Sequence, residues 1–311
     1  MNESSLEALG AIGIVGCGAA GRTLGRAIAA VGGNVVAVAS RTREHAEALA
    51  GHIPGCRVLA TPSDLAAASD LIILAVPDDA IVMLAQDIRW QPGNRVFHLS
   101  GASGARALTA AGEQGAAIAA LHPLMTFTVA QAEMPIEAIL ARLRGCVWAM
   151  ETSNDTFRAS LLTLVAALGG RAIHLDENDR VPYHISAVLV ANYVVTLMAA
   201  AATLWESFGA DASLAREALL PLLRASVENL ATMEPTAALT GPVARGDLGT
   251  LSAHLDWLTA HTHAGEEMEA LRDAYMALAR LAVPLAEAKG TLSPDRAESI
   301  RGLLEEPRNE E

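Results

Sequence analysis

The stretch Gly16-Cys17-Gly18-Ala19-Ala20-Gly21 decides the fold, because it follows the apolar run 11–15 and opens an alanine-rich, helix-like segment. A G-x-G-x-x-G pattern is specific when a strand precedes it and a helix follows it. The first glycine permits a tight turn, the second leaves room for a pyrophosphate, and the third lets helix and strand pack closely. The helix N-terminus offers free N–H donors to phosphates. All six residues are therefore predicted to bind a dinucleotide.

The end of the second predicted strand indicates which dinucleotide. Ser40, Arg41 and Thr42 stand where an NAD site would place Asp or Glu. A guanidinium can bind a ribose 2′-phosphate through two hydrogen bonds, and a hydroxyl can add another. We therefore expect NADP(H) as the cofactor, with NAD less favoured. The alternative is an exposed arginine at a helix start that binds no ligand.

Short apolar runs alternate with helical patterns through the first half of the chain, which predicts βαβ units. The fold class we expect is α/β, a doubly wound and mainly parallel Rossmann sheet followed by an all-α C-terminal domain. After Pro182 only helical patterns remain. The predicted domains are 1–177, for dinucleotide binding, and 178–311, for substrate binding and dimerisation. The predicted strands are 11–15, 35–40, 57–60, 71–76, 95–99, 117–121, 146–150 and 171–175.

Composition limits the partners. The chain has 22 basic and 35 acidic residues among 311, a net charge of −13, so nucleic acid is not an expected partner. Cys17, Cys56 and Cys146 form no C-x-x-C pair, and neither a disulfide framework nor a metal site is indicated. Residues 1–9 carry Glu3 and Glu7 and do not resemble a secretory signal. We expect a cytoplasmic protein.

The uncharged stretch 186–204 is long enough to span a bilayer, but it contains Asn192 and lacks flanking basic clusters. We expect instead a buried helix of the second domain or a homodimer interface, and no membrane partner.

Several loops follow the carboxyl ends of predicted strands, which is the edge where ligands bind in open α/β sheets. Val76 and Pro77, after the fourth strand, would pack against the nicotinamide half of the cofactor. Ser100 follows the fifth strand and His122 the sixth, so both are candidates to face the substrate. The alternative is that they only cap turns and helix ends.

The first long helix of the second half carries a polar stripe of His184, Asn192, Thr196, Thr203 and Glu206. At about 100° per residue these positions share roughly a third of the circumference. The polar groups of such a stripe on an otherwise apolar helix either line a cleft or form hydrogen bonds at an interface, and we favour the cleft.

A Gly/Pro-rich loop, 239–247, joins two later helices. Thr240 and Arg245 in this loop, with His254 in the helix beyond it, are predicted to bind substrate. Arg245 can grip a carboxylate or phosphate, and Asp247 can cap the helix that presents His254. The alternative is a plain linker.

These residues resemble, over nearly the whole chain, a bacterial family of Rossmann-like oxidoreductases whose C-terminal helical half is a domain of unknown function. More distantly, the chain is similar to pyrroline-5-carboxylate reductase, ketopantoate reductase and the β-hydroxyacid dehydrogenases, whose helical domain often dimerises. The matching features are the glycine loop, Ser100-Gly101-Ala102, His122-Pro123, Tyr183-His184 with Asn192, and the loop 240–247 with His254.

The resemblance implies hydride transfer between NADPH and a small carbonyl compound (a 2-oxo acid or hydroxy acid) or an imine, held between the two domains. Members of the last two groups use a lysine and an asparagine on the first long helix, whereas the only lysine here is Lys289. His184 could take the acid role instead, with Asn192 orienting the substrate and Arg245 holding an anionic group. The alternatives are a non-catalytic NADP(H)-binding sensor or regulatory protein, and an electron-transfer partner that uses another carrier such as a deazaflavin.

Overall fold

The computed structural model describes residues 6–305 of the chain. The expectation drawn from Glu3 lies outside the described residues. By its internal contacts the chain divides into two compact units, Met1–Tyr193 and Val194–Glu311. The boundary predicted near residue 177 marks the end of the last strand, whereas this division lies further along, inside the long helical stretch that follows.

The first unit is built on one eight-stranded sheet in the order β3-β2-β1-β4-β5-β6-β7-β8. All neighbouring strands pair in parallel except β6 and β7, which are antiparallel. The order from β3 to β6 is that of a Rossmann fold, which confirms the predicted fold class. The strands are β1 Ile12–Val15, β2 Val35–Ala39, β3 Arg57–Val58, β4 Leu71–Leu74, β5 Arg95–His98, β6 Ala117–Pro123, β7 Val147–Glu151 and β8 Arg171–His174.

Two apolar layers cover the two faces of this sheet. Successive residues of β1 point to opposite faces, so that Ile14 joins the core with Trp148 and Val15 joins the core with Trp90. Every residue of β1 and β4 is buried, which explains why these strands read as continuous apolar runs.

The helices of the first unit connect and cover the strands. Their starts follow local capping chemistry: Thr61 accepts a hydrogen bond from the Asp64 N–H at the start of α3, and Asn154 accepts one from the Phe157 N–H at the start of α8. The helices are α1 Ala19–Ala30, α2 Arg43–Ala50, α3 Pro62–Ala67, α4 Asp78–Asp87, α5 Thr109–Glu113, α6 Val129–Ala132, α7 Ile136–Leu143, α8 Asp155–Ala167 and α9 Arg180–Ala187.

The long helical stretch that follows differs from the prediction in two ways. A π-helical turn, Val188–Asn192, separates α9 from α10, Tyr193–Glu206. Since a π turn breaks the 100° spacing, the predicted polar stripe does not continue along one regular helix. The expectation of a buried helix was wrong, because no residue of the π turn or α10 is buried within the chain. By length and composition alone, Glu177–Glu206 could cross a membrane.

The second unit is helical throughout its described residues. The helices after α10 are α11 Ala212–Thr232, α12 Pro235–Ala238, α13 Pro242–Arg245, α14 Leu248–Ala260, α15 Glu266–Lys289 and α16 Pro294–Glu305. The last four of these helices form its core, in which Leu251, Leu255, Val283, Ile300 and Leu304 are buried together.

Candidate functional site

The three loop glycines are required for three different physical reasons. Gly16 has a φ of +93°, and a Cβ there would lie 2.4 Å from the carbonyl oxygen of Ala75. A Cβ on Gly21 would lie 2.0 Å from the carbonyl oxygen of Gly16, so only glycine allows this approach of helix to loop. A Cβ on Gly18 would meet no atom within 4 Å. Gly16 and Gly21 therefore shape the loop, whereas Gly18 keeps the space in front of it open.

That open space is a cavity of about 450 Å³ at the carboxyl ends of β1, β2 and β4. Eight of the predicted cofactor-binding residues line it. The other three, Ala19, Ala20 and Gly21, form the start of α1 behind it. The eight are Gly16, Cys17, Gly18, Ser40, Arg41, Thr42, Val76 and Pro77.

The end of this cavity beside β2 is basic and polar. Arg41 lines the cavity, whereas Arg43 is turned to Glu47, with 2.7 Å between Nε and Oε1. His45 in the first turn of α2, which the sequence analysis did not single out, also lines the cavity. Among the described residues that line the cavity there is no acidic side chain. These residues suit a 2′-phosphate better than the two hydroxyls of an unphosphorylated ribose.

The loop that follows β5 is held in place by hydrogen bonds of Ser100. The hydroxyl of Ser100 donates to Asp78 Oδ2 at 2.7 Å and accepts from the Ser103 N–H at 2.9 Å. The Ser100 N–H donates to Nδ1 of the fully buried His98, at 3.2 Å. Ser100 is itself 5 % exposed, so its hydroxyl braces two loops in this arrangement. A catalytic role for Ser100 stays a prediction.

Gly101 places this loop directly against two imidazoles. A Cβ at Gly101 would lie 2.8 Å from His184 Nδ1 and 3.0 Å from His122 Cε1 and Nε2. The two rings meet edge to face with their centroids 6.4 Å apart. The structure therefore brings together Ser100, His122 and His184, three residues that are well separated along the sequence.

His122 is held on its other side by Tyr183, with 2.7 Å between Nδ1 and the phenol oxygen. Burial, followed by the neighbouring His184 and Arg180, lowers the pKa of His122 to about 4. Burial also raises the pKa of Tyr183 to about 12. At neutral pH this is a pair of two uncharged groups.

A cavity of about 160 Å³ lies beside these rings, and both His184 and Asn192 line it together with His122. The π turn contributes Val188, Val190, Ala191 and Asn192 to its wall, which agrees with the frequent use of such turns at functional sites. The remaining wall is mainly apolar. It consists of Leu124, Met125, Thr126 and Ala187.

A buried ion pair lies behind the imidazoles. Arg180, 1 % exposed, donates from Nε to Glu151 Oε2 at 2.6 Å. Both of its terminal amino groups are buried, with no hydrogen-bond partner among the described residues. Sequence reasoning missed this arginine, because an arginine at a helix start is usually solvated.

The predicted residues of the second unit form a separate set. Asp247 accepts from the Thr250 N–H at 3.0 Å and so caps α14, as expected. His254 shares a 2.8 Å hydrogen bond with the Tyr275 hydroxyl. The lysine Lys289 donates to the carbonyl oxygens of Ala237 and Leu239, a structural task. Substrate binding by Thr240, Arg245 and His254 stays a prediction.

Two family models match the chain. Residues 2–123 match a Rossmann-like domain, and residues 146–282 match a family described as Domain of unknown function (DUF2520). Together they confirm the resemblance drawn from the sequence. No curated protein sequence matches the chain.

Solved structures share the fold over most of the chain. A provisionally assigned NADP oxidoreductase from Bacteroides fragilis is 21 % identical with a TM-score of 0.67, covering 88 % of this chain and 98 % of its own. A reductive aminase from Aspergillus terreus, in complex with NADPH and ethyl levulinate, is 21 % identical with a TM-score of 0.59, covering 94 % and 98 %. 1-Pyrroline-5-carboxylate reductase from Streptococcus pyogenes is 15 % identical with a TM-score of 0.55, covering 94 % and 98 %.

Proposed function

We propose that this chain, which joins a Rossmann-like domain to a DUF2520 domain, is an NADP(H)-dependent oxidoreductase acting on a small carbonyl or imine compound. The observation that carries the proposal is the cavity in front of Gly18, with Arg41 at one end and Pro77 at the other. When bound, the reduced nicotinamide supplies a hydride, and the protein supplies position and charge.

The residues present fit an NADP(H) molecule. The N–H groups at the start of α1 would face the pyrophosphate, and Gly18 leaves them accessible. Ser40, Arg41 and His45 would hold the 2′-phosphate. Val76 and Pro77 would border the nicotinamide half, as the sequence predicts.

A chain of contacts leads from that half to the substrate cavity. Pro77 lines the cofactor cavity, its neighbour Asp78 accepts from Ser100, and the next residue, Gly101, abuts His122 and His184. We therefore place the reacting group of the substrate in the cavity of about 160 Å³ beside the imidazoles. Asn192 keeps its predicted role there as the orienting group, and two imidazoles, His122 and the predicted His184, are available to exchange a proton with the substrate.

The known activities of proteins with this fold support the substrate class. The Aspergillus enzyme is a reductive aminase and the Streptococcus enzyme reduces a cyclic imine acid, so both act at C=N bonds. We extend to this chain the class of C=O and C=N compounds. Holding the substrate with Arg245 and His254 of the second unit remains part of the proposal.

We also propose a homodimer formed through the helical stretch after the sheet, in a cytoplasmic protein. Leu189, Val190 and Val195 are each more than half exposed there. Apolar side chains clustered at this density favour a covering partner, and a second copy is the simplest one.

The proposed function is tested in two steps. NADPH and NADH are first titrated against the purified chain, and NADPH should bind more tightly. NADPH oxidation is then measured over a panel of 2-oxo acids, ketones and cyclic imines. Turnover of one of these supports the enzyme, whereas tight NADPH binding without turnover across the panel would favour a sensor or regulatory protein. Failure to bind either cofactor would refute the proposal.

A further inference from the structure

The candidate site presents two imidazoles to one cavity, and the proposed function does not decide which one handles the proton. His122 and His184 both line the cavity, but their surroundings differ. The Nδ1 of His122 is hydrogen-bonded to Tyr183, whereas the Nδ1 of His184 is buried with no partner among the described residues. Only His122 therefore has a second group behind it that can resupply a proton.

We propose that His122 is the proton donor of this site, giving its Nε2 proton to the substrate while Tyr183 restores a proton at Nδ1. The inference rests on the proposed function, since it needs a reduced nicotinamide as hydride source. It assigns Tyr183 as a positioning and proton-resupplying residue. It also removes the proton-donor role from His184.

The direction of the hydrogen bond follows from what the phenol can do. The bond to His122 is the only one that the structure gives the Tyr183 hydroxyl among the described residues. If Nδ1–H donated to the phenol oxygen, the phenol hydrogen would have no protein acceptor in a half-buried position, which is costly. If the phenol donates, Nδ1 is the acceptor, and the single ring proton of a neutral imidazole lies on Nε2. That nitrogen is the one left for a ligand.

The surroundings keep His122 neutral, which fixes it as a hydrogen-bond donor with one proton. Burial, the buried positive charge of Arg180 and the rings of His184 and His98 all disfavour an imidazolium, and only Asp78 favours it among the groups that shift this pKa. Glu151 holds Arg180 in place. A neutral imidazole can polarise a carbonyl without carrying a charge into an apolar cavity.

The proton steps balance. As the hydride and its electron pair reach the carbon of C=O or C=N, the π pair moves to the oxygen or nitrogen. That atom takes the Nε2 proton of His122, Nδ1 takes the phenol proton of Tyr183, and the tyrosinate regains a proton from water. Each proton moves to the stronger base and leaves the negative charge on the weaker one, since an alkoxide, or the nitrogen anion left by a neutral imine, is more basic than an imidazolate, and an imidazolate is more basic than a tyrosinate.

The cavity also limits what reacts there. Its described lining has no aspartate, glutamate, lysine or arginine, and its walls are mostly aliphatic. At about 160 Å³ it accommodates a carbonyl or imine group with a small apolar substituent. An uncharged C=O or C=N group therefore suits this lining.

The first test needs no substrate. The full chain is labelled with ¹⁵N-histidine, and the His122 signals are identified by their loss in His122→Gln. From pH 5 to 9 they should report a neutral ring with its proton on Nε2. In Tyr183→Phe the ring should lose this preference and populate both tautomers. His52→Gln, which alters an exposed histidine, is the control and should leave the His122 signals unchanged.

A His122 ring with its proton on Nδ1, or one that gains a second proton at an ordinary pH of about 6.5, would overturn the proposal. This readout is independent of turnover. If the chain reduces none of the compounds, the proposed function is refuted, and the tautomer result still decides the direction of the hydrogen bond between Tyr183 and His122.

With a substrate in hand, kinetics gives the second test. His122→Leu should lower kcat by about 10²–10⁴-fold and Tyr183→Phe by about tenfold or more, each with unchanged NADPH affinity. The solvent deuterium isotope effect on kcat should change in Tyr183→Phe, which a merely structural hydroxyl would not cause. His184→Gln should keep the parent's solvent deuterium isotope effect, whatever its kcat, because His184 does not deliver the proton. A Tyr183→Phe variant with the parent's rate and isotope effect would rule out the relay, even with His122 in the predicted tautomer.

Discussion

Gly18→Val separates cofactor binding from folding at a single atom position. Gly18 has φ −72° and ψ −165°, which a valine can adopt, and a Cβ there meets no protein atom within 4 Å. Since Gly18 is the N-cap of α1, we expect a cost to the free energy of unfolding of about 0.5–1 kcal/mol, a loss of a few degrees in Tm. The new side chain would fill the pyrophosphate space, so NADPH affinity should fall by at least about 100-fold.

Gly21→Val is the matched contrast. A Cβ there would lie 2.0 Å from the carbonyl oxygen of Gly16, so this variant should unfold or fold poorly. Gly302→Ala, in open space on α16, is the control for adding a methyl group and should keep both stability and affinity. The assays are thermal unfolding without cofactor and fluorescence titration with NADPH. A Gly18→Val protein that binds NADPH as the parent does would refute the assigned cofactor position.

Four further predictions test other parts of the account. Arg41→Ala should lower the affinity for NADPH by about 10- to 150-fold in calorimetric titration and leave the affinity for NADH nearly unchanged. The control Arg43→Ala, which breaks an ion pair with Glu47, should change neither affinity. Equal losses of affinity for the two cofactors in Arg41→Ala would contradict the 2′-phosphate assignment. Gly101→Ala places a Cβ 3.0 Å from His122 Nε2, the proposed proton-donating atom, so kcat should fall by up to about 100-fold at constant NADPH affinity. An unchanged kcat would place the chemistry elsewhere. Folding lowers the pKa of His122 to about 4, so between pH 6.5 and pH 4 the unfolded chain binds a proton there that the folded chain does not. The free energy of unfolding should therefore fall by roughly 2–4 kcal/mol as the pH is lowered from 6.5 to 4. Urea unfolding at both pH values should show that His122→Phe lacks this loss of stability. An equal pH dependence in the parent and in His122→Phe would contradict a neutral buried ring. Sedimentation at micromolar concentration should show a dimer that Val195→Glu converts to monomer, and a monomeric parent would end the dimer proposal.

The sheet was predictable because each strand leaves its pattern in a short run of consecutive residues. All eight strands lie where the sequence predicted them. Strands β1 and β4 are buried throughout, and a strand covered on both faces has to be apolar throughout. The glycine loop was predictable for the same reason, because the turn, the open face and the close approach each demand glycine within six residues.

The substrate side was only partly predictable. His122 and Tyr183 are 61 residues apart, and nothing in either local sequence indicates that the two side chains meet. The π turn at Val188–Asn192 has no sequence pattern of its own, so the polar stripe was drawn on a regular helix. Arg180 resembles a solvated charge until Glu151, on the antiparallel strand β7, is placed beside it.

The central claim is that this chain transfers a hydride between NADP(H) and a C=O or C=N carbon, and isotope transfer tests it most directly. The chain is incubated with NADPH deuterated at C4, separately in the 4R and 4S positions, and with each compound that supports NADPH oxidation. We predict that the deuterium of one of the two cofactors appears on the carbon of the product, and that Gly18→Val abolishes this transfer. NADPH consumption that leaves no deuterium in the product from either cofactor would contradict the account.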